Sequence, residues 1–294
     1  MLAPWTSEGV PRLDAVTDFL TEAGRATGLD LMALGTVAGV TDLQDTALTQ
    51  PLVVATSLAG ALAADLLPAP GAVVAGHSLG SLTALAVAGV LAPVDAVVLA
   101  AVRGRAMARC SAAEPGTMVA LVGGRRPEVL RAVEDAGLTV ANVNGSRQVV
   151  AAGPLDAVAT LRGLLPDGVR ALRLSVAGAF HTEAMAGACL DLAEAVAGLR
   201  SRPPVADLVD EATGALVGAG SSPGELLGSL VGKLTLPVRW DLVQTRLTAV
   251  GVTTAVELPP AGVLAGMART DLPGTTVRRM REAADAVGFG GGHP

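Results

Sequence analysis

A serine bracketed by glycines is the residue of this chain best suited to chemistry. Ser78 lies in the pentapeptide Gly-His-Ser-Leu-Gly at residues 76–80, between an apolar run (71–75) and a helix-like stretch (81–91). Glycines permit a tight turn that lifts the serine hydroxyl clear of a sheet, and a helix N-terminus offers N–H groups to a developing oxyanion. The pattern predicts covalent acyl transfer through Ser78. The alternative is a glycine-bracketed turn that carries a solvated serine.

A serine nucleophile needs a base within hydrogen-bond reach, and the chain has three histidines. His293 lies in a glycine-rich tail with nothing to hold it. His77 is adjacent to Ser78, and side chains of neighbouring residues diverge in such a turn. His181, at a loop-to-helix junction, is therefore the predicted base, although a lone histidine elsewhere is more often structural.

A second candidate is Arg103, in Val-Arg-Gly-Arg-Ala-Met at residues 102–107. An arginine fork can grip a substrate carboxylate with two parallel hydrogen bonds. The alternative is a solvated helix arginine, as expected for Arg105 and Arg109. The residues by themselves do not choose between these two interpretations.

Composition bounds the class of protein. The 294 residues are 51% hydrophobic but only 2% aromatic, so the core must be built from Ala, Val and Leu. A net charge of −6, with Lys233 as the one lysine, argues against nucleic acid as the main partner. Cys110 and Cys189 make neither a disulfide framework nor a metal-ligand spacing. No metal or cofactor is therefore expected, no signal peptide is recognised, and a reducing, cytoplasmic location fits.

One stretch, residues 46–64, carries no charge and approaches the length of a bilayer. Its threonines, glutamine and proline, together with much alanine, favour a buried helix of a soluble domain over a membrane span. The sequence therefore predicts no membrane partner.

Helix-like and strand-like segments alternate along the chain, which predicts an α/β fold with a parallel sheet. Residues 114–179 follow the order strand, helix, strand, strand, helix, strand, which is the ferredoxin-like arrangement. We therefore expect this segment to be a small subdomain inserted into a large α/β subdomain made of residues 1–113 and 180–285. Residues 286–294 are predicted to be a disordered tail.

Five segments in register resemble malonyl-CoA:acyl-carrier-protein transacylases of bacterial type II fatty acid synthesis and the related acyltransferase domains of polyketide synthases. The five segments are Gly-His-Ser-Leu-Gly at 76–80, Arg-Gly-x-x-Met at 103–107, Asn-Val-Asn-Gly with Gln-Val-Val at 142–150, Gly-Ala-Phe-His at 178–181 and Pro-Val-Arg-Trp at 237–240. The resemblance covers about residues 1–281. It implies an α/β-hydrolase-like large subdomain with a ferredoxin-like insertion.

The resemblance also implies a reaction. Malonyl would pass from malonyl-CoA to Ser78 and then to the phosphopantetheine thiol of acyl carrier protein, feeding fatty acid biosynthesis. His181 would be the base, oriented by a backbone carbonyl near Lys233 instead of an acidic residue. Arg103 would bind the free malonyl carboxylate.

Further members of the site are implied in the same way. The Leu79 N–H would supply an oxyanion donor. Phe180 resembles the pattern that favours malonyl over methylmalonyl, because its ring would crowd the α-methyl group. The expected substrate-binding set is completed by Lys233 and by His77 and Asn144, which belong to two of the matching segments.

The chain departs from the family pattern in two places. The family opens with a strand and a Gly-Gln-Gly-Ser-Gln loop that flanks the oxyanion, whereas Met1 to Trp5 resemble the segment after that loop. We expect a start site placed too far downstream; a chain this short would lose one strand and one contact beside the oxyanion. Lys233 stands where many members carry glutamine, a change that a backbone role survives.

Two rival functions remain open at this point. An α/β-hydrolase esterase shares the serine motif, but that fold places its histidine late in the chain, after an acidic residue. A non-catalytic paralogue, which would bind carrier protein or CoA without loading Ser78, is suggested by the departure at the N-terminus.

Overall fold

Helices and strands alternate through most of the computed structural model, which describes residues 1–37, 39, 44–218 and 220–287. The helices are α1 (Leu13–Thr27), α2 (Leu31–Thr36), α3 (Thr46–Ala63), α4 (Gly80–Val87), α5 (Pro93–Ala113), α6 (Arg126–Asp135), α7 (Leu155–Leu161), α8 (Ala186–Ala197), α9 (Pro223–Gly232), α10 (Trp240–Ala249), α11 (Val263–Asp271) and α12 (Ala283–Ala286). The strands are β1 (Val73–Ala75), β2 (Thr117–Val122), β3 (Thr139–Val143), β4 (Gln148–Gly153), β5 (Arg170–Arg173), β6 (Asp207–Val209), β7 (Leu216–Val217), β8 (Thr254–Glu257) and β9 (Thr276–Arg279).

Helices α3 and α5 cross at close range in the large subdomain. Each has a start signal in the sequence: the Asp45 side chain accepts the Ala47 N–H at 2.8 Å, and Pro93 is the first residue of α5. Gly104 permits the close crossing, because a Cβ there would overlap the Thr46 carbonyl oxygen. The Thr46 hydroxyl in turn donates to the Gly104 carbonyl at 3.0 Å. The crossing brings side chains of α3 alongside the middle of α5.

Short parallel strand pairs set the edge at which the site forms. β1 pairs with β6 in parallel, β7 adds to β6 in antiparallel, and β8 and β9 form a separate parallel pair. The carboxyl ends of parallel strands meet at the same edge of a sheet. The turn that follows β1 and the turn that follows β6 therefore lie side by side.

The core of the large subdomain is built from small and branched aliphatic side chains, as the composition predicts. Leu52, Leu58 and Leu99 are fully buried among alanines and valines of α3, α4 and α5, and Trp5 is buried against the same cluster. Alanine-rich helices can pack closely because little side chain separates their backbones.

The four strands β2, β3, β4 and β5 form an antiparallel sheet in the order β3-β4-β2-β5, the ferredoxin-like topology. Alternate residues of β2 bury opposite faces of this sheet. Val119 and Leu121 pack under α6 and α7, whereas Met118 and Ala120 pack against Ala179, next to the predicted base. The expectation of an α/β fold with a ferredoxin-like subdomain is confirmed.

A single strand-like contact joins this ferredoxin-like sheet to the segment before α10. The Val143 N–H donates to the Val238 carbonyl at 2.8 Å, and the Val238 N–H donates to the Ala141 carbonyl at 2.9 Å. The Pro-Val-Arg-Trp segment is therefore a link between the two subdomains.

Several elements differ from the sequence expectations. Strands β6, β7 and β9 were not predicted, because strands of two to four residues show no alternation long enough to recognise. Helix α10 was not predicted either. A 3-10 turn (Glu183–Met185) precedes α8. The subdomain boundaries stay predictions, and residues 288–294 of the predicted tail, with His293, lie outside the described residues.

Helix α3 is the one helix in the described ranges that is long and apolar enough to cross a membrane by length and composition. Within it, 67% of the residues are buried inside the protein. The helix thus packs against other elements of the same chain, among them α5.

Candidate active site

Ser78 occupies the turn between β1 and α4 with a φ of 54°, in the left-handed region that side chains other than glycine rarely adopt. The Gly80 N–H donates to the His77 carbonyl at 2.9 Å, and the Ser81 N–H donates to the Ser78 carbonyl at 3.0 Å. A Cβ at Gly76 would overlap the carbonyl carbon of Gly80, so only glycine fits there. The strained serine conformation is thus imposed by its nearest neighbours in the chain.

His181 lies within hydrogen-bond reach of this serine. Its Nε2 is 2.7 Å from Ser78 Oγ, while its Nδ1 is 3.1 Å from the Lys233 carbonyl oxygen and 3.0 Å from that of Leu236. Carbonyl oxygens can only accept, so the proton belongs on Nδ1 and the Nε2 lone pair faces the serine hydroxyl. Two main-chain carbonyls therefore do what an acidic residue does in a triad.

The environment keeps His181 neutral near pH 7. Burial, together with the charges of Arg103 and His77, lowers the pKa of its imidazole to about 4, against the hydrogen bonds to Leu236 and Lys233. The neutral imidazole is the form that can take a proton from serine.

Arg103 approaches the same hydroxyl from α5. It is only 7% exposed, its Nη2 donates to Ser78 Oγ at 3.1 Å, and its Nη1 donates to Gln50 Oε1 at 2.6 Å. Burial lowers the pKa of its guanidinium to about 10, which leaves it charged at pH 7. None of the ion pairs among the described residues includes Arg103. A buried cation whose partners are neutral favours an anionic ligand.

Gln50, a residue of α3, was not among the site residues expected from the sequence. Its amide also donates from Nε2 to Met107 Sδ at 3.4 Å, so the side chain has a partner at each end. A buried polar residue within an apolar helix was the available signal, but only the crossing of α3 and α5 shows what it contacts.

His77 and Asn144, both expected to bind substrate, bond to each other. His77 Nε2 lies 2.9 Å from Asn144 Oδ1, and Asn144 Nδ2 donates to Gln148 Oε1 at 2.8 Å. The His77 ring also lies 5.4 Å from the Trp240 ring, measured between centroids. The imidazole thus points away from the serine hydroxyl and ties the turn to the ferredoxin-like sheet.

The other expected site residues are Leu79, Lys233 and Phe180, of which Lys233 lines a cavity beside Ser78. Leu79 directly precedes α4, where a helix leaves its first N–H groups without partners inside the helix. Lys233 pairs with Asp210 at 2.7 Å through Nζ, and Phe180 is half-buried between the cores of the two subdomains. The cavity is lined by Ser78, Leu82, Arg103, His181, Leu192, Glu211, Leu230, Lys233 and Leu234.

The family described as an acyl transferase domain matches residues 13–283 of the chain. The chain belongs to this acyltransferase family. It is 42% identical over 288 residues to the malonyl CoA-acyl carrier protein transacylase of Mycobacterium bovis, covering 97% of this chain and 93% of that protein.

Solved structures agree with this acyltransferase assignment. The crystal structure of MCAT from Mycobacterium tuberculosis matches with a TM-score of 0.91 and 40% identity, over 98% of this chain and 94% of that one. A malonyl-transacylase solved in complex with a type II PKS acyl-carrier protein matches with a TM-score of 0.87 and 28% identity, over 98% and 93%. The family resemblance inferred from the five segments is confirmed, and the esterase alternative gains no support.

Proposed function

We propose that this acyltransferase moves the malonyl group of malonyl-CoA to the phosphopantetheine thiol of an acyl carrier protein, supplying fatty acid synthesis. One observation carries the proposal: a single hydroxyl, Ser78 Oγ, contacts both a neutral imidazole at 2.7 Å and a buried guanidinium at 3.1 Å. The first contact suits a nucleophile and its base, and the second suits an acyl group that ends in a carboxylate. The names of the relatives support the same reaction.

In the first half-reaction, His181 Nε2 takes the Ser78 proton as Oγ attacks the thioester carbonyl of malonyl-CoA. The carbon–sulfur bond then breaks, and the CoA thiolate leaves with the proton that His181 had taken. The products are malonyl-Ser78 and CoA. The Leu79 N–H, at the N-terminus of α4, faces the developing oxyanion.

In the second half-reaction, the phosphopantetheine thiol gives its proton to His181 and its sulfur attacks the malonyl-serine ester. The bond from the carbonyl carbon to Ser78 Oγ breaks, and the proton returns from His181 to the serine. CoA leaves before the carrier thiol reacts, and the enzyme passes through a malonyl-serine intermediate, which defines a ping-pong transfer.

Arg103 selects the acyl group in this proposal. The malonyl carboxylate pairs with the guanidinium, whereas an acetyl group leaves that buried charge without an anionic hydrogen-bond partner. Phe180, adjacent to His181 in the chain, crowds the α-methyl of a methylmalonyl group. Carboxylate binding also offsets the Arg103 charge that lowers the pKa of His181, so the correct substrate makes the base stronger.

Intact-mass spectrometry after incubation with malonyl-CoA tests the covalent step. We expect one malonyl adduct on the parent chain and none on Ser78→Ala. A parent chain that stays unmodified, alone and with acyl carrier protein present, would support the non-catalytic alternative instead.

Loading with acetyl-CoA tests the role of Arg103. Arg103→Ala should lower malonyl loading about 100-fold, a typical cost for removing a buried charged partner, and should lower acetyl loading much less. Arg105→Ala is the matched control, because Arg105 is an exposed arginine of the same helix and should load both at the parent rate. Equal losses for the two acyl groups in Arg103→Ala would contradict the assignment.

A further inference from the structure

Glu211 is a buried carboxylate beside the reacting serine, and the steps above leave it without a role. It is 3% exposed. Its Oε2 accepts the backbone N–H of Ser78, and its Oε1 accepts the Ser81 hydroxyl at 2.8 Å. Burial raises the pKa of this carboxyl group, against those two hydrogen bonds and the nearby charges of Lys233 and Arg103.

The fold delivers Glu211 to the serine from a separate part of the chain. β1 and β6 run in parallel with Ala75 opposite Val209, so the residues that follow the two strands meet at one edge. The Glu211 carbonyl accepts the Arg239 N–H at 2.8 Å, just before α10. The carboxylate is thus anchored outside the turn that it contacts.

The Glu211 carboxylate contacts the backbone N–H of Ser78, the residue of the turn with the left-handed conformation. Ser78 has a φ of 54°, and its N–H belongs to the peptide plane whose direction sets where the Cα–Cβ bond points. A left-handed conformation of a residue other than glycine persists only when the surroundings over-determine it. A buried carboxylate is itself costly unless it is well hydrogen-bonded, and here both oxygens bond to the serine turn.

We propose that Glu211 is a positioning residue for the transfer reaction. By accepting the Ser78 N–H and the Ser81 hydroxyl, it holds the turn in the conformation that sets Ser78 Oγ at hydrogen-bond distance from His181. It acts through the serine, by fixing the turn, and takes no part in the bond-making steps. The inference rests on the proposed function only in taking Ser78 as the nucleophile.

Two substitutions separate hydrogen bonding from charge. In Glu211→Ala both acceptors are lost, and we expect malonyl loading at saturating malonyl-CoA to fall about 10- to 100-fold, as for a small misplacement of a reacting group. The KM for malonyl-CoA should change by less than about threefold, since the uniform binding of substrate is untouched. Glu211→Gln should recover loading to within about threefold, because its amide oxygen can accept the Ser78 N–H and its NH2 can donate to Ser81. Glu225→Ala, an exposed glutamate of α9, is the matched control and should load at the parent rate.

A fluorophosphonate probe reports serine reactivity without any malonyl group. The proposal expects the rate of Ser78 phosphonylation to fall in Glu211→Ala and to recover in Glu211→Gln, in parallel with loading. If the parent chain reacts with the probe but never takes malonyl, the proposed function fails while the positioning role is still measured.

Two results would overturn the positioning role. One is parent-like phosphonylation by Glu211→Ala at an equal folded fraction, measured by thermal unfolding. The other is a Glu211→Gln variant as slow as Glu211→Ala, which would make the charge and not the hydrogen bonds responsible. If Glu211→Ala does not fold, Glu211→Met takes its place, because it fills a similar volume and offers no oxygen acceptor.

Discussion

The serine turn (residues 76–80) and the histidine loop (residues 178–182) each hold a functional residue in place, but the contacts that do so come from different parts of the chain. Each holds its functional residue in the left-handed region, Ser78 at a φ of 54° and His181 at 61°. The serine turn is shaped mainly by its own residues, through Gly76 and hydrogen bonds between adjacent residues, with the proposed support of Glu211. The histidine is held from far along the chain, by the carbonyls of Lys233 and Leu236.

The difference shows which kind of site a sequence reveals. A turn shaped by its own residues leaves a recognisable string, because some of its positions, such as Gly76, accept only one residue type. The distant segment that orients the histidine leaves almost none, because any residue there provides a carbonyl oxygen. The four predictions below test how far this contrast holds.

The largest effect is expected from Gly76→Ala. The added Cβ would overlap backbone atoms of Gly80, which cannot move without dismantling the turn. Malonyl loading should fall more than about 100-fold, since misplacement by about 1 Å suffices for that loss. Gly80→Ala is the control, because nothing lies within 4 Å of a Cβ there, and it should load at nearly the parent rate. Similar losses in both variants would show that the turn is not held from within.

A smaller loss of loading, which a second substitution should partly restore, is expected from Gly178→Ala in the histidine loop. Here the added Cβ would overlap the Ser111 side chain instead of backbone. Loading should fall about 10-fold, with part of the activity restored by the second change Ser111→Gly, because the two sites are in direct contact and therefore couple. If the double variant is no more active than Gly178→Ala, the added Cβ must be obstructed by backbone and not by the Ser111 side chain. Gly178 would then not differ from Gly76 in the kind of atom that its Cβ meets.

Lys233→Gln should change loading by less than about threefold. The substitution removes the partly buried ion pair with Asp210 but keeps the carbonyl that accepts His181 Nδ1, and the glutamine amide can still donate to Asp210. A loss near 100-fold would show that the lysine side chain, and not the main chain, holds the histidine.

The smallest effect is expected from lowering the pH. Only neutral His181 can act as the base, so kcat/KM should rise as pH rises through the pKa of the free enzyme, about 4. At pH 5, loading should keep about nine-tenths of its plateau rate, whereas a solvent-exposed histidine with a pKa near 6.5 would leave about 3%. A half-maximal rate near pH 6.5 would contradict the buried, carbonyl-held imidazole.

The sequence predicted the main pieces of the site and missed the residues that connect them. Ser78, His181 and Arg103 were singled out from a motif, from elimination and from a charge, and the structure brings the last two within 3.1 Å of the Ser78 hydroxyl. Gln50 and Glu211 were missed because each acquires its meaning from a contact with a distant segment. His77 and Asn144 were expected beside substrate, and the sequence did not predict that their side chains hydrogen-bond to each other.

The sequence by itself determined the serine turn, the alternation of helices and strands, and the ferredoxin-like order of the small subdomain. These features depend on residues close together in the chain, so local sterics and periodicity suffice to specify them. Only the tertiary structure decided which carbonyls orient His181, which amide holds Arg103 and which carboxylate reaches Ser78. Those contacts arise where the parallel strands β1 and β6 end at one edge and where α3 and α5 cross at Gly104. Both arrangements depend on packing between segments that are far apart in the chain.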